Sequence, residues 1–160
     1  MWRMRWGETG GGHVNPVSVL DVAAYILEQR GSMTTMKLQK LVYYCQAWSL
    51  VWDDRPLFSE TIEAWANGPV VRRLYDVHRG QFTIDEIPGR SPIRDTVARD
   101  TIDAVLEAYG GYSAYQLSIM THHEHPWLVA RDGLPEWEPS DAVISHASMA
   151  EYYGSLTAPD

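Results

Sequence analysis

The sequence predicts a mainly α-helical protein: a compact single-domain bundle arranged around one central buried helix at about residues 34–53, with at most one minor β-hairpin. Three observations support this fold class. The stretch TTMKLQKLVYYCQAWSLVW is apolar on nearly every side at the helical period, as in a helix that is buried on several faces. Capping patterns precede several amphipathic segments, and glycines follow them. A hydrophobic content of 45% over 160 residues is enough for one core.

The predicted central helix has two broad apolar faces separated by two narrow polar strips. One strip carries Gln39, Gln46, Ser49 and Asp53. The other carries Lys37, Lys40 and the hydroxyl end of Tyr44, and these two lysines are the only ones in the chain. Two readings stay open for the lysine pair: flexible ammonium groups kept for a contact, or a solvated first turn.

The first helix is expected at about residues 19–29, because Ser18 and Asp21 form a capping box and Gly31 follows the helix. Thr34 or Thr35 then opens the central helix. After it, residues 60–65 alternate apolar and polar side chains, which predicts a short extended segment that pairs with residues 82–87.

Gly68-Pro69 is expected to begin a third helix, with Pro69 at the first helical position. A fourth helix is expected at about residues 93–109. Ser113 and Gln116 form a second capping box for a fifth helix that ends at Thr121.

The last third of the chain is expected to hold two more helical segments and a loop. Pro126 begins one or two turns, residues 132–140 form an irregular loop, and Ser145 caps the last helix. We predict a structured domain at residues 17–153 and a short tail at 154–160. Residues 1–16 are expected to be disordered or non-native, and we hypothesise that translation begins at Val14.

Composition and charge exclude several classes of function. A formal net charge of −8 argues against a primary role in nucleic-acid binding, which needs a basic face. The single cysteine, Cys45, lies on an apolar face and is read as a core residue. No apolar run approaches the length of a membrane span, and the N-terminus lacks the apolar section of a signal peptide. We therefore expect a cytoplasmic protein with no membrane contact.

A search for catalytic chemistry yields one candidate, the segment THHEH. Its histidines 122, 123 and 125 are close in sequence, but Pro126 directly after them argues against a continuous helix that would align them on a metal. Nucleophile elbows, phosphate-binding glycine loops and zinc-finger spacings are absent from the sequence. We expect no enzyme activity, no cofactor and no metal, and a metal-dependent hydrolase is kept as the least favoured alternative.

The tryptophans divide into two groups. Trp48 and Trp52 are expected in the core of the central helix. Trp137 lies in a proline-bounded loop, where a core role and a contact role are both open.

These residues together resemble a known family. The segments are KLQKLVYYCQAW (37–48), PLF (56–58), IEAWANGPV (62–70), THHEHPW (121–127) and EYY (151–153), in this order. They are similar to the Panacea antitoxin domain, the group of SocA-like antitoxins and phage-associated GepA-like proteins, over residues 17–153.

The resemblance implies an antitoxin of a toxin–antitoxin system that neutralises a cognate toxin, encoded by a neighbouring gene, through direct protein–protein binding. In the SocA branch it also implies an alternative, a proteolytic adaptor that delivers the toxin to a ClpXP-type protease.

Our candidates for partner binding are polar and aromatic residues in or next to the resembling segments, which we expect to converge at the central helix: Lys37, Gln39, Lys40, Asn67, Arg72, Arg73, His122 and Trp127. Trp65, Gly68 and Pro69 are expected to be structural parts of the motif.

Overall fold

The computed structural model describes residues 16–90 and 92–157. Within them the chain forms seven helices and five short strands, so the fold is mainly α-helical with a minor sheet component, as predicted. The helices are α1 (Val19–Arg30), α2 (Thr35–Trp52), α3 (Arg72–His78), α4 (Thr96–Tyr109), α5 (Ala114–His122), α6 (His125–Arg131) and α7 (His146–Thr157). The strands are β1 (Met33–Thr34), β2 (Ile62–Trp65), β3 (Gly68–Val71), β4 (Thr83–Ile84) and β5 (Val143–Ile144).

The chain ends are only partly covered by these residues. Apart from Pro16, the predictions for residues 1–16 and for a start at Val14 lie outside the described residues. Helix α7 continues to Thr157, four residues past the predicted domain end at 153.

The predicted helix caps are confirmed. Ser18 and Asp21 form the capping box of α1, and Ser113 and Gln116 form that of α5. The Thr34 side chain accepts a hydrogen bond from the Lys37 N–H and caps α2. Each cap supplies an acceptor for a backbone N–H that has no partner within the first helical turn.

Helix α2 is buried without interruption from residue 38 to residue 49. It contacts α1, α4, α5, α7 and β3. The predicted strip of Gln39, Gln46, Ser49 and Asp53 lies inside the protein, where its side chains form hydrogen bonds with other parts of the chain. Gln46 accepts hydrogen bonds from the N–H groups of Leu57 and Phe58, at 2.7 and 3.2 Å. Asp53 accepts one from the Thr101 hydroxyl.

The predicted strand pairing is wrong. Residues 62–65 pair with β3 and with β5, not with residues 82–87, whereas Thr83 and Ile84 of that segment pair with β1. Only Ala66 and Asn67 separate the paired residues Trp65 and Gly68. A hairpin with so short a connection closes at a lower entropy cost than a pairing across the whole of α3.

The expectation that Gly68-Pro69 begins a helix is also wrong. Gly68 has a φ of +119°, outside the helical region, and β3 continues to Val71 before α3 begins at Arg72. Pro69, which has no N–H, pairs with Ala64 in a strand at the edge of the sheet, where a missing donor is tolerated. The fourth helix likewise begins later than predicted, at Thr96, where Asp95 supplies the cap.

Two expectations about side-chain environment fail on α2. Lys40 is only 1% exposed, so the solvated-turn reading does not hold for it. Trp48 is buried as predicted, but Trp52 is 38% exposed and stacks on the outer side of Trp48.

Candidate functional site

A pocket of about 600 Å³ opens between the N-terminal half of α2, the β2–β3 hairpin, α3 and residues 139–141. We call it the Lys40 pocket. Four of the predicted binding residues line it, together with Trp65 of the predicted motif: Gln39, Lys40, Asn67 and Arg72. These four residues therefore lie together beside α2, as expected. Their role as partner contacts stays a prediction.

Gln39 joins α2 to the hairpin. Its amide oxygen accepts a hydrogen bond from the Val71 N–H at 2.9 Å, and its amide nitrogen donates to the Val71 carbonyl at 3.3 Å. The same nitrogen lies 3.0 Å from the His78 Nε2. Gln39 is buried, so its hydrogen bonds hold the pocket wall in place, and its amide does not face the solvent.

Lys40 passes directly beneath the Gly-Pro turn. A Cβ atom on Gly68 would lie 2.5 Å from the Lys40 Cε, and the Gly68 φ of +119° is a conformation that favours glycine. The Lys40 Nζ donates to the Pro69 carbonyl at 3.3 Å. Burial lowers the pKa of Lys40 to about 7, because a buried ammonium group has lost its hydration.

Arg72 is held on the outer side of the hairpin. Its guanidinium donates to both carboxylate oxygens of Glu63, at 3.0 and 3.3 Å, and lies 5.2 Å from the centre of the Trp65 ring. Glu63 also accepts a hydrogen bond from the Trp65 Nε1 at 2.7 Å. Arg73 is exposed beside it. Since Arg72 already has an anion and a ring as partners, its charge is largely committed within the chain.

Lys37 lies apart from the pocket. It is half-buried, and its Nζ donates to the Gly110 carbonyl at 2.8 Å. Two lysines three positions apart on one helix thus have different surroundings.

His122 and Trp127 belong to a second cluster, behind the hairpin. Trp127 is buried and donates from Nε1 to the Trp65 carbonyl at 2.8 Å. The His122 ring stacks on it, with 4.2 Å between ring centres. The Arg131 guanidinium lies 4.8 Å from the centre of the same indole ring.

Arg131 is the functional candidate that the sequence analysis missed. It is 3% exposed, and it donates to four backbone carbonyls, those of Ala64, Pro135, Glu136 and Glu138. Three of these carbonyls belong to the segment 132–141, which we call the Trp137 loop. The sequence offered only a faint signal: an arginine in the last turn of an apolar helix, directly before a loop rich in proline.

The Trp137 loop presents its tryptophan to solvent. Trp137 is 78% exposed, although the backbone on both sides of it is bound by Arg131. The loop also ends at the Lys40 pocket, where Pro139, Ser140 and Asp141 form one wall. The loop that carries the exposed Trp137 therefore also supplies part of the pocket wall.

The three imidazoles of the THHEH segment do not share a centre. His122 stacks on Trp127, the His123 Nδ1 lies 2.9 Å from the Ile119 carbonyl, and His125 stacks on Tyr152. No group of three or more potential metal-ligating side chains occurs in the part of the chain that the structure describes. The hydrolase alternative consequently has no assembled site in these residues.

The acidic residue of the same segment, Glu124, is a half-buried acceptor. Tyr44 and Tyr153 both donate to the Glu124 Oε1, each at 2.7 Å. Burial raises the pKa of the Glu124 carboxyl, although the two tyrosine hydrogen bonds act in the opposite direction. Glu124 thus ties α7 to α2 through their tyrosines.

The fold and the site define a class: a mainly helical domain with a small strand layer that carries a pocket and a loop held by a buried arginine. In the residues that the structure describes, no helix has the length and apolar character needed to cross a membrane.

Comparisons with known proteins identify the family. The family model described as "Antitoxin SocA-like, Panacea domain" matches residues 38–128. The chain is also similar to "Antitoxin SocA" of Caulobacter vibrioides (strain NA1000 / CB15N), with 32% identity over 130 residues, which cover 70% of this chain and 69% of that protein. The chain belongs to the SocA-like Panacea antitoxin family. No solved structure gives a significant match.

Proposed function

We propose that this protein is an antitoxin that binds a cognate toxin, encoded by a neighbouring gene, and neutralises it by direct contact without catalysis of its own. Membership of the antitoxin family supports the general role. The observation that carries the proposed mode of action is the Trp137 loop, a fixed segment that exposes a large aromatic side chain.

An exposed tryptophan on a fixed loop has the properties of a binding anchor. Tryptophan is enriched among the residues that dominate the energy of protein interfaces. Because the Arg131 hydrogen bonds already order the loop backbone, less conformational entropy is lost when a partner binds. We therefore place Trp137 at the centre of the toxin contact.

The surroundings of the loop extend this surface. Helix α6 and the loop also expose Leu128, Val129 and Leu134. With the rim of the Lys40 pocket, these residues offer apolar area towards the roughly 800 Å² per partner of a standard interface. The net charge of −8 favours a partner with a basic contact face.

Co-expression with the product of the neighbouring gene tests the proposal. We expect growth to be restored and the two proteins to co-purify. Trp137→Ala should weaken the complex by about tenfold or more, while the free energy of unfolding changes by less than about 0.5 kcal/mol. Affinity is measured by calorimetry or surface plasmon resonance, and stability by denaturant unfolding.

Phe82→Ala is the matched control, because Phe82 is also 78% exposed but lies outside the Trp137 loop. It should leave the affinity unchanged. If the neighbouring gene product kills equally well with and without this protein, the antitoxin proposal is wrong for that pair. Wild-type affinity in Trp137→Ala would remove the loop from the contact. A shortened toxin half-life in cells that hold a ClpXP-type protease would instead favour the adaptor alternative.

A further inference from the structure

Lys40 is a buried cation with little compensation inside the chain. Its ammonium has three N–H donors, and the structure gives it one acceptor, the Pro69 carbonyl at 3.3 Å. Within residues 16–90 and 92–157, no carboxylate forms an ion pair with it. Burial of an ammonium group without an ion partner is unfavourable, so a chain that keeps one beside a cavity has reason to use it.

Two other polar side chains of the pocket, Gln39 and Arg72, already have partners within the chain. The Gln39 amide is used by Val71 and His78, and the Arg72 guanidinium by Glu63 and Trp65. Among the described residues, Lys40 is the cation of the pocket wall that has no carboxylate partner, so the pocket offers one uncommitted positive charge. This matches a monoanion better than a phosphate group, which carries more charge and more acceptor oxygens.

The walls of the pocket are largely apolar and aromatic. Trp65 and Tyr75 both line it and pack edge to face, with 4.9 Å between ring centres. Val70 and Met36 add aliphatic surface. A volume of about 600 Å³ lies in the ordinary range for pockets that enclose a small organic molecule or one large side chain.

From these observations the geometry points to a ligand site: we infer that the Lys40 pocket binds a carboxylate carried on a flat apolar group, with the carboxylate against the Lys40 ammonium and the apolar group against Trp65 and Tyr75. This site goes beyond the proposed toxin contact at Trp137. Its ligand is either a free carboxylic acid or a carboxylate side chain of a bound protein, and the experiment below separates the two.

The lysine content of the chain makes a direct test practical. With isotope-labelled lysine, NMR shows side-chain signals from two residues only, Lys37 and Lys40. Phenylbutyrate serves as the probe, and phenylbutanol, which has the same apolar body without the charge, as its control. We expect phenylbutyrate to raise the pKa at which the Lys40 signal titrates by about one unit or more, because the bound anion stabilises the ammonium form. Phenylbutanol should not raise it.

Two neighbouring histidines must be followed in the same titration. The Lys40 charge adds to the effect of burial in lowering the pKa values of both His78 and His122. Arg72 and Asp141 are the other charged groups that line the pocket. A shift of the histidine signals without a shift of the Lys40 signal would contradict the inference.

Substitutions supply the second readout. Lys40→Met should weaken phenylbutyrate binding by about tenfold or more and leave phenylbutanol binding unchanged, since methionine keeps the apolar stem but not the charge. Lys37→Met is the matched control, three residues along the same helix, and should bind both probes like the wild type. Equal binding of the acid and the alcohol by the wild-type protein would overturn the inference.

Assays with the toxin distinguish the two possible sources of the carboxylate. If Lys40→Met loses phenylbutyrate binding but still neutralises the toxin at wild-type potency, the natural ligand is a free acid. If it loses both, and phenylbutyrate displaces the toxin from the wild-type protein, the carboxylate belongs to the toxin. The NMR titration needs no toxin, so failure of the antitoxin proposal would leave this inference testable.

Discussion

Two buried cations bind backbone carbonyls of the β2–β3 hairpin, Lys40 from α2 and Arg131 from the end of α6. Their surroundings differ. Arg131 donates to four carbonyls and lies over an indole ring. Lys40 has one hydrogen bond of 3.3 Å. Both are nearly inaccessible to solvent, at 3% and 1% exposure. The difference separates a charge that organises structure from a charge that is available for binding.

The chemistry of the two side chains explains this division. A guanidinium is planar and has five donors, so it can bind several carbonyls of one loop at once. Of the Arg131 guanidinium nitrogens, the buried Nε has no hydrogen-bond partner among the described residues. An ammonium is a compact charge on a flexible stem, and its pKa moves readily when it is buried. Arginine therefore suits the Trp137 loop, and lysine suits the pocket.

The largest expected effect is that of Lys40→Met on stability. A pKa lowered from 10.5 to about 7 corresponds to a cost of as much as about 5 kcal/mol for keeping the ammonium charged in the folded state. The free energy of unfolding is highest above the unfolded pKa of Lys40, where the amine is neutral in both states. It decreases as the pH falls from there through the folded pKa, because the unfolded chain binds the proton more readily. Lys40→Met should therefore unfold at higher denaturant concentration than the wild type at pH 7, and its advantage should shrink towards pH 10.5.

Denaturant unfolding at several pH values checks this, with Lys37→Met as the matched control. A Lys40→Met protein that is less stable than the wild type at pH 7 would mean that the ammonium is a structural group. Lys40 and Arg131 would then both be structural cations, and the proposed difference between them would be wrong.

The next largest effect is expected for Arg131→Met. This substitution leaves buried carbonyls of Ala64 and the Trp137 loop without donors, and should lower the free energy of unfolding by about 3–5 kcal/mol. The loop should also become sensitive to protease. Limited proteolysis and denaturant unfolding measure the two effects.

Arg131→Lys sharpens the same point. It retains the charge but loses the planar arrangement of donors, so its stability should lie between those of the wild type and Arg131→Met. Wild-type stability in the lysine variant would show that charge alone holds the loop.

The smallest effect concerns a half-buried carboxyl group, that of Glu124. Glu124 accepts hydrogen bonds from two tyrosines, so it lies between the two cations in how well it is compensated. Burial raises the pKa of its carboxyl above 4.5. Its stabilising contribution is therefore full below the unfolded pKa and is lost as the pH rises through the folded pKa. Glu124→Gln cannot lose a proton, so its stability relative to the wild type should increase as the pH rises from 4.5.

Thermal unfolding of both proteins over this pH range measures the difference. A difference that is constant with pH would mean that the two tyrosine hydrogen bonds fully offset the burial of Glu124.

Local patterns predicted much of the fold, because their causes lie within a few residues. Each capping box, at Ser18 and at Ser113, joins two residues that are three positions apart in sequence. The all-round apolar character of residues 34–52 is likewise a property of one helix. The strand at Gly68–Val71 was missed because the groups that stabilise it, the Gln39 amide and the backbone of β2, lie at other places in the chain. A proline after a glycine suits a helix start equally well on local grounds.

The candidate site was predictable only in part for the same reason. Gln39, Lys40, Asn67 and Arg72 were identified as candidates, but the burial of Lys40 depends on its fit beneath Gly68. Arg131 could not be identified, because one of its acceptors, the Ala64 carbonyl, is 67 residues away in sequence. Contacts of this range appear only once the chain is folded.

The Gln39 amide has one more consequence, for the edge of the three-stranded sheet. Strand β3 lies at the edge of the three-stranded sheet, and an uncovered edge can recruit a strand from another molecule. By bonding to both the N–H and the carbonyl of Val71, the glutamine side chain imitates a neighbouring strand one residue long. At Val71 the edge is therefore covered within the monomer, and these two backbone groups are not open to pairing with a strand of another molecule.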